Sequence, residues 1–219
     1  MTFIIAIQLK DSIIVAIDNK FVKLNRGKYF NFQEFNGSKL YVWSKGIITG
    51  TGEHYVIDKA VRLFVNNADS DIKKLPICLN ISRQIREMEV GQHEQILMTK
   101  LLYSSFTVNG PKLFAVEHTE ESGKYITTNF KEKDLILWLH NPDIHQISDN
   151  LKALYTHLRP CSSFTCVKDW IGYYSSAIAD IYTKHSSIDI SMSCSFDIFF
   201  QTKDHCYYRH ITNGYSVEN

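Results

Sequence analysis

Two apolar runs at the start of the chain, Phe3-Ile-Ile-Ala-Ile-Gln-Leu9 and Ile13-Ile-Val-Ala-Ile17, flank the polar Lys10-Asp11-Ser12. Short apolar runs rich in β-branched residues, separated by a turn signal, read as a hairpin. Both strands rise about 3.3 Å per residue and are of similar length, so the second returns Asp18 to the side of the chain start. A carboxylate is thereby brought next to residue 2 by the first eighteen residues alone.

The remaining segments follow in groups of one kind. Lys39 to Gly52 forms a second β-unit and ends in a glycine-bearing turn that opens a helix at His54. That helix runs to Asn67, with Val56, Ala60, Leu63 and Phe64 on one face. Residues 76–82 lead into a second helix at Arg83, interrupted at Gly91 and resuming to about Tyr103. A meander follows over 112–117, 125–128 and 135–139. Asp143 or Ser148 can cap a third helix, with Ile147, Leu151, Leu154 and Leu158 on its apolar face and Pro160 at its end. A fourth spans about Ser163 to Lys184, and two strands that turn at Lys203-Asp204-His205 close the chain. The segment from Lys20 to Lys28 reads as a loop. Runs of strands alternating with pairs of helices give an α+β fold, most economically two antiparallel sheets face to face with helices outside. The pattern alone also allows other α+β layer arrangements.

Composition narrows the function. With 24 basic and 23 acidic residues the net charge is +1, which leaves no electrostatic footprint for nucleic acid. No linker, repeat or low-complexity stretch divides the 219 residues, so 1–219 is read as one domain. Five cysteines without a Cys-x-x-Cys pair argue against a disulfide framework and against structural zinc. Cys161 and Cys166 have no histidine pair nearby, and His140 and His145 read as surface residues. Neither cofactor nor metal is expected. The apolar start lacks a basic leader and is broken by Lys10-Asp11, so neither signal peptide nor membrane span is expected, and the location is expected to be the cytoplasm.

Thr2 carries the chemistry. A small second residue lets the initiator Met1 be trimmed, which leaves threonine first. Its hydroxyl is then a nucleophile, and its α-amine, with an ordinary pKa of about 7.7–8.0, is a base that works near neutral pH. Thr2, Val-Ala-Ile-Asp18, Lys39-Leu-Tyr-Val-Trp and Gly-Ile-Ile-Thr-Gly50-Thr-Gly before a helix together resemble the first half of a proteasome β-type subunit. They also resemble the bacterial proteasome-like peptidases; both are N-terminal-nucleophile hydrolases. The helix around Trp170 to Tyr182, then Ser187-Ile-Asp189 and a terminal hairpin, are similar to the end of that family. The resemblance covers residues 2–67 and, more loosely, 163–211.

It implies a four-layer αββα sandwich and a threonine-type peptidase. Thr2 would be the nucleophile, Asp18 would orient its amine and a lysine, and Gly50 would offer its N–H to the oxyanion. Asp189 would sit near the Thr2 amine. The substrate would be a peptide or protein, lying along an edge strand near residues 19–23, and the subunits would form a homo-oligomeric ring.

The chain also departs from the family pattern. Counting back from Gly50 in strand alternation lands on Ser38, so Lys39 serves if a bulge corrects the phase. Lys20, Lys23 and Lys28 are the alternatives. No Gly-Ser-Gly turn stands near Leu137 to Pro142, and serine and cysteine replace the Gly-Gly after Asp189, with Ser191 or Ser193 as stand-ins. A catalytically silent subunit that binds partners, and an amidase for small molecules, are the competing functions.

Overall fold

The structure is a computed structural model and describes residues 2–24, 30–34, 38–119, 123–139, 143–189 and 191–212. The first hairpin forms as the apolar runs require, β1 (Ile4–Gln8) against β2 (Ser12–Asp18), with Ile4 opposite Ile17. The segment Lys20–Lys28, read as a loop, instead opens with a strand, β3 (Lys20–Leu24), which pairs with β4 (Phe30–Glu34). The β-unit from Lys39 to Gly52 is two strands, β5 (Tyr41–Trp43) and β6 (Gly46–Thr51). Helix α1 (His54–Asn67) follows, and the Glu53 carboxylate caps it by accepting from the Val56 N–H at 2.9 Å.

Helix α2 (Leu75–Val90) starts eight residues before the expected Arg83, because Pro76 sits in its first turn, where no N–H is needed. The expected continuation to Tyr103 is absent. Gly91, at φ +84°, ends α2; α3 (Glu94–Leu97) is a single turn, and β7 (Lys100–Thr107) begins at once. The meander is β7, β8 (Gly110–Thr119) and β9 (Lys124–Asn129). β10 (Leu135–Trp138), expected as its last strand, crosses to the other sheet and pairs with β1. Helix α4 (Ser148–Thr156) has no side-chain cap; Asp143 instead accepts from His145 N–H in the short turn before it. Helix α5 (Val167–Ser186) and strands β11 (Phe196–Thr202) and β12 (Cys206–Ile211) complete the chain.

The sheets are β10-β1-β2-β11-β12 and β5-β6-β7-β8-β9, all antiparallel. Period-2 alternation splits their side chains between three cores. Ile4, Ala6, Val15 and Ile17 meet Ile47, Leu102, Leu113 and Ala115 between the sheets. Ile5, Ile7, Ile14 and Ala16 face α4 and α5 through Leu151, Trp170, Tyr174 and Ile178. Ile48, Leu101 and Val116 face α1 and α2 through Val56, Ala60, Phe64 and Leu79. The order is therefore α4/α5, sheet, sheet, α1/α2, the four-layer αββα sandwich. Both strands of the first hairpin are buried on both faces, which is why their runs are continuously apolar rather than alternating. At one end the sheets are pinned together by Gln8, which accepts from Leu113 N–H at 2.8 Å and donates to the Pro111 carbonyl at 3.2 Å. The chain start, the end of β2 and the end of β6 lie at the other.

Candidate active site

The hairpin does place Asp18 beside the chain start. Asp18 is fully buried and its Oδ1 accepts the Phe3 N–H at 2.8 Å. The same oxygen accepts from Lys39 Nζ at 3.0 Å, and Oδ2 accepts the Lys20 N–H at 2.9 Å. Thr2, the next residue back, is itself buried. Among the described residues Lys39 is therefore the lysine that reaches Asp18, and Lys20 contributes its main chain, whose carbonyl also accepts from Lys39 Nζ. The side chain of Lys23 and all of Lys28 lie outside the described residues.

No bulge corrects the phase of Lys39. It precedes β5, and the turn at Ser44-Lys45 separates it from the strand of Gly50, so alternation does not run through from one to the other. Thr49 Oγ1 donates to the Lys39 carbonyl at 3.0 Å and fixes where the side chain leaves the backbone. Burial pushes the Lys39 ammonium below the ordinary lysine range, while the negative charges of Asp18 and, further off, Asp197 draw it back up.

Gly50 lies inside β6, opposite Leu101, rather than in the turn; Gly52, at φ +110°, makes the corner before α1. The β6–β7 register continues to Lys45, whose carbonyl accepts Phe106 N–H at 3.1 Å, so the odd-numbered residues of β6 bond to β7. The N–H and C=O of Gly50 then face away from β7, toward β5. In the β5–β6 register, Tyr41 opposite Ile48 and Trp43 opposite Gly46, the position across from Gly50 is that of Lys39. Glycine is required there for a packing reason as well: a Cβ would lie 2.4 Å from the Lys100 carbonyl oxygen and 3.3 Å from Ile57 Cδ1.

Asp189 is buried, but its described bonds are local. Oδ1 accepts the N–H and the hydroxyl of Ser191, at 2.8 and 2.5 Å, and Oδ2 lies 4.0 Å from His185 Nε2. His185 links it to the chain start by packing on the Phe3 ring, centroids 5.0 Å apart. Of the two candidate serines, Ser193 is the one beside Asp18: its hydroxyl accepts the Asn19 N–H at 2.9 Å and donates to the Ser195 carbonyl at 2.7 Å.

Several contributors were not singled out from the sequence. Asn19 Nδ2 donates to the buried Asp197 Oδ2 at 3.0 Å, and Asp197 Oδ1 meets His210 Nδ1 at 2.7 Å. This chain of contacts holds the joint between β2 and β3, and with it the Lys20 carbonyl. Tyr182 of α5 donates its hydroxyl to the Phe3 carbonyl at 2.8 Å. One signal was available: a lone carboxylate in Phe196-Asp-Ile-Phe-Phe200 must be buried and therefore partnered. The edge strand expected near residues 19–23 is β3, and β4 occupies one of its edges.

No protein-family model matches the chain, and no curated protein matches it. Solved structures do. The helical assembly of the Anbu complex from Pseudomonas aeruginosa superposes with a TM-score of 0.67 at 11% identity, over 96% of this chain and 87% of that one. Anbu, described as an ancestral beta-subunit, from Yersinia bercovieri gives 0.63 at 12%, over 96% and 87%. A Gly-1 mutant of Anbu from Hyphomicrobium sp. strain MC1 gives 0.63 at 13%, over 97% and 89%. At such identity the likeness is one of fold, and it extends over nearly the whole length of each chain.

Proposed function

We propose that this chain, which has the fold of the Anbu proteins, is an amide-bond hydrolase of the N-terminal-nucleophile type, most simply a peptidase. One observation carries the reading. A fully buried carboxylate holds both the main chain next to Thr2 and the ammonium of a buried lysine. A buried ion pair is weak support for stability, since desolvation of the two charges offsets their attraction. Its position against residue 2 is what a threonine nucleophile needs.

Once Met1 is removed, Thr2 Oγ attacks the carbonyl carbon of the substrate and its proton passes to the α-amine. Lys39 keeps that amine neutral near pH 7, because a neighbouring cation disfavours a second positive charge. The Gly50 N–H, on the edge of β6 that faces Lys39, stabilises the oxyanion. The amine returns the proton to the leaving nitrogen as the C–N bond breaks, and water then hydrolyses the Thr2 ester. Asp189, with Ser191 and His185, supports the Phe3 side of the chain start, and Ser193 holds the Asn19 joint. The subunits assemble as homo-oligomers, as the helical assembly of the Pseudomonas aeruginosa Anbu complex supports.

The test is intact mass followed by labelling with an electrophile selective for N-terminal threonine. The expected result is a chain lacking Met1, a single adduct on Thr2, and loss of peptide hydrolysis in Thr2→Ala. Retained Met1, or full activity in Thr2→Ala, overturns the reading.

A further inference from the structure

β10 is the outer strand of its sheet, and the direction of its backbone groups follows from the ladder. The register sets Ile4 opposite Trp138 and Ile7 opposite Leu135, and it continues to Gln8, whose N–H donates to the Asp134 carbonyl at 3.0 Å. Bonded and non-bonded pairs alternate in an antiparallel ladder, so Ile136 and Trp138 bond to β1. The other edge of β1 agrees: Asp18 N–H donates to Phe3 and Leu9 N–H to Ser12, which gives the odd-numbered residues of β1 to β2. The N–H and C=O of Leu137 therefore point outward from the sheet.

A cleft of about 500 Å³ runs along that edge. Leu137, Trp138 and Leu139 form one wall, Thr51 and Gly52 another, and α3 with Met98 the third. The volume falls within the range of about 300–1,000 Å³ that ligand clefts occupy. Lys100 Nζ lies 4.3 Å over the Trp138 ring and 2.7 Å from Glu117, so the ring is held and the lysine charge is already answered. Met98 is exposed at the mouth. Trp138 is laddered to Ile4, two residues from Thr2, so the cleft wall is offset from the nucleophile by roughly 7 Å along the strand and by one strand spacing of about 4.8 Å across it.

We propose that the outer edge of β10 and this cleft form a strand-addition site for an extended polypeptide segment, the part of the substrate beside the bond that Thr2 attacks. This rests on the hydrolase reading of Thr2. Main-chain bonds to Leu137 supply affinity without regard to sequence, and a large apolar side chain of the segment enters against Trp138 and Met98.

The probe is a capped decapeptide of alternating leucine and threonine, added to Thr2→Ala protein, with a twin N-methylated throughout. Amide hydrogen exchange by NMR is the readout. The Leu137 N–H is expected to slow at least tenfold with the decapeptide and not with the twin, while Ile136 and Trp138, already bonded, keep their rates. Leu137→Pro removes the outward donor, which an edge strand tolerates, and is expected to weaken binding at least tenfold with cooperative melting retained. Binding without Leu137 protection, equal binding of the twin, or no binding overturns the proposal. Labelling of wild-type Thr2 is scored separately. An adduct without Leu137 protection sinks the strand-addition site alone; protection without an adduct leaves the site and removes the hydrolase.

Discussion

Replacing Asp18 by asparagine tests the centre of the site through a quantity that can be worked out beforehand. The carboxylate accepts from Phe3 N–H, Lys20 N–H and Lys39 Nζ, and both it and the lysine are buried. Breaking a buried pair by removing one charge costs about 3–5 kcal/mol, because the other is left uncompensated. Here the lysine has a second way out, which is to lose its proton. Taking an ordinary pKa of about 10.4 and about 1.36 kcal/mol per unit, deprotonation costs about 4.6 kcal/mol at pH 7 and about 1.9 kcal/mol at pH 9. The lysine's share of the penalty therefore cannot exceed those values. The sign follows from proton counting. In the variant the folded lysine has its pKa pushed further down than in the wild type, so the unfolded state binds more protons, and stability rises with pH until the unfolded lysine titrates. Urea unfolding of Asp18→Asn is expected to recover up to about 2.7 kcal/mol of its deficit between pH 7 and pH 9. The double variant Asp18→Asn, Lys39→Met should show little of that pH dependence. A deficit that stays constant with pH, or that survives removal of the lysine, would refute the claim that Lys39 depends on Asp18 for its charge.

Three further outcomes are expected. Gly50→Ala drives a Cβ to 2.4 Å from the main-chain oxygen of Lys100 and should cost about 1–3 kcal/mol in urea unfolding, whereas Gly172→Ala, in open space on α5, should stabilise by up to about 1 kcal/mol. Burial pushes His185 below its ordinary value of 6.5, against the pull of Asp189 and Asp143, so folding favours its neutral form. Its contribution is complete above about pH 6.5 and is lost as pH falls from there toward the folded value, so the urea midpoint of His185→Phe should fall less between pH 7.5 and 5. An unchanged acid slope would remove His185 from the account. Tyr182→Phe deletes the bond to the Phe3 carbonyl, which Asp18 N–H still satisfies at 3.2 Å; about 0.5–1.5 kcal/mol should be lost, together with a slower Thr2 labelling rate.

What the sequence made legible followed local pattern. The limits of α1 could be read to the residue because a 3.6-period face, a glycine corner and an Asn-Asn stop coincide there. The β1–β2 hairpin was legible because two apolar, β-branched runs flank the polar Lys10-Asp11-Ser12. The β3–β4 pair was not: Lys20 to Lys28 mixes cations with aromatics and lacks alternation, and the strand it pairs with, Phe30–Glu34, lies outside that segment. Assigning β10 to the meander was the more instructive error. Leu135-Ile-Leu-Trp138 is an apolar run that fits either sheet, and the partner is decided by β1, whose even-numbered backbone groups need a second neighbour.

The same distinction governs the site. Thr2 and Asp18 are joined by one hairpin, so their proximity is a local property and could be read off the first eighteen residues. Lys39 reaches Asp18 from a segment that belongs to neither sheet, anchored at its carbonyl by Thr49 of one sheet while its ammonium rests on Asp18 of the other. Strand counting cannot find such a residue, because the side chain's direction is set by a contact between layers and not by the pleat. Asn19, Asp197 and Ser193 belong to this class too: each acts across a distance of more than 170 residues in the chain to hold the β2–β3 joint. The joint in turn carries the Lys20 carbonyl to Lys39 Nζ. Loosening it at Asn19 should therefore take the Lys20 carbonyl away from the Lys39 ammonium while leaving its bond to Asp18, a separation that no substitution in the hairpin itself can achieve.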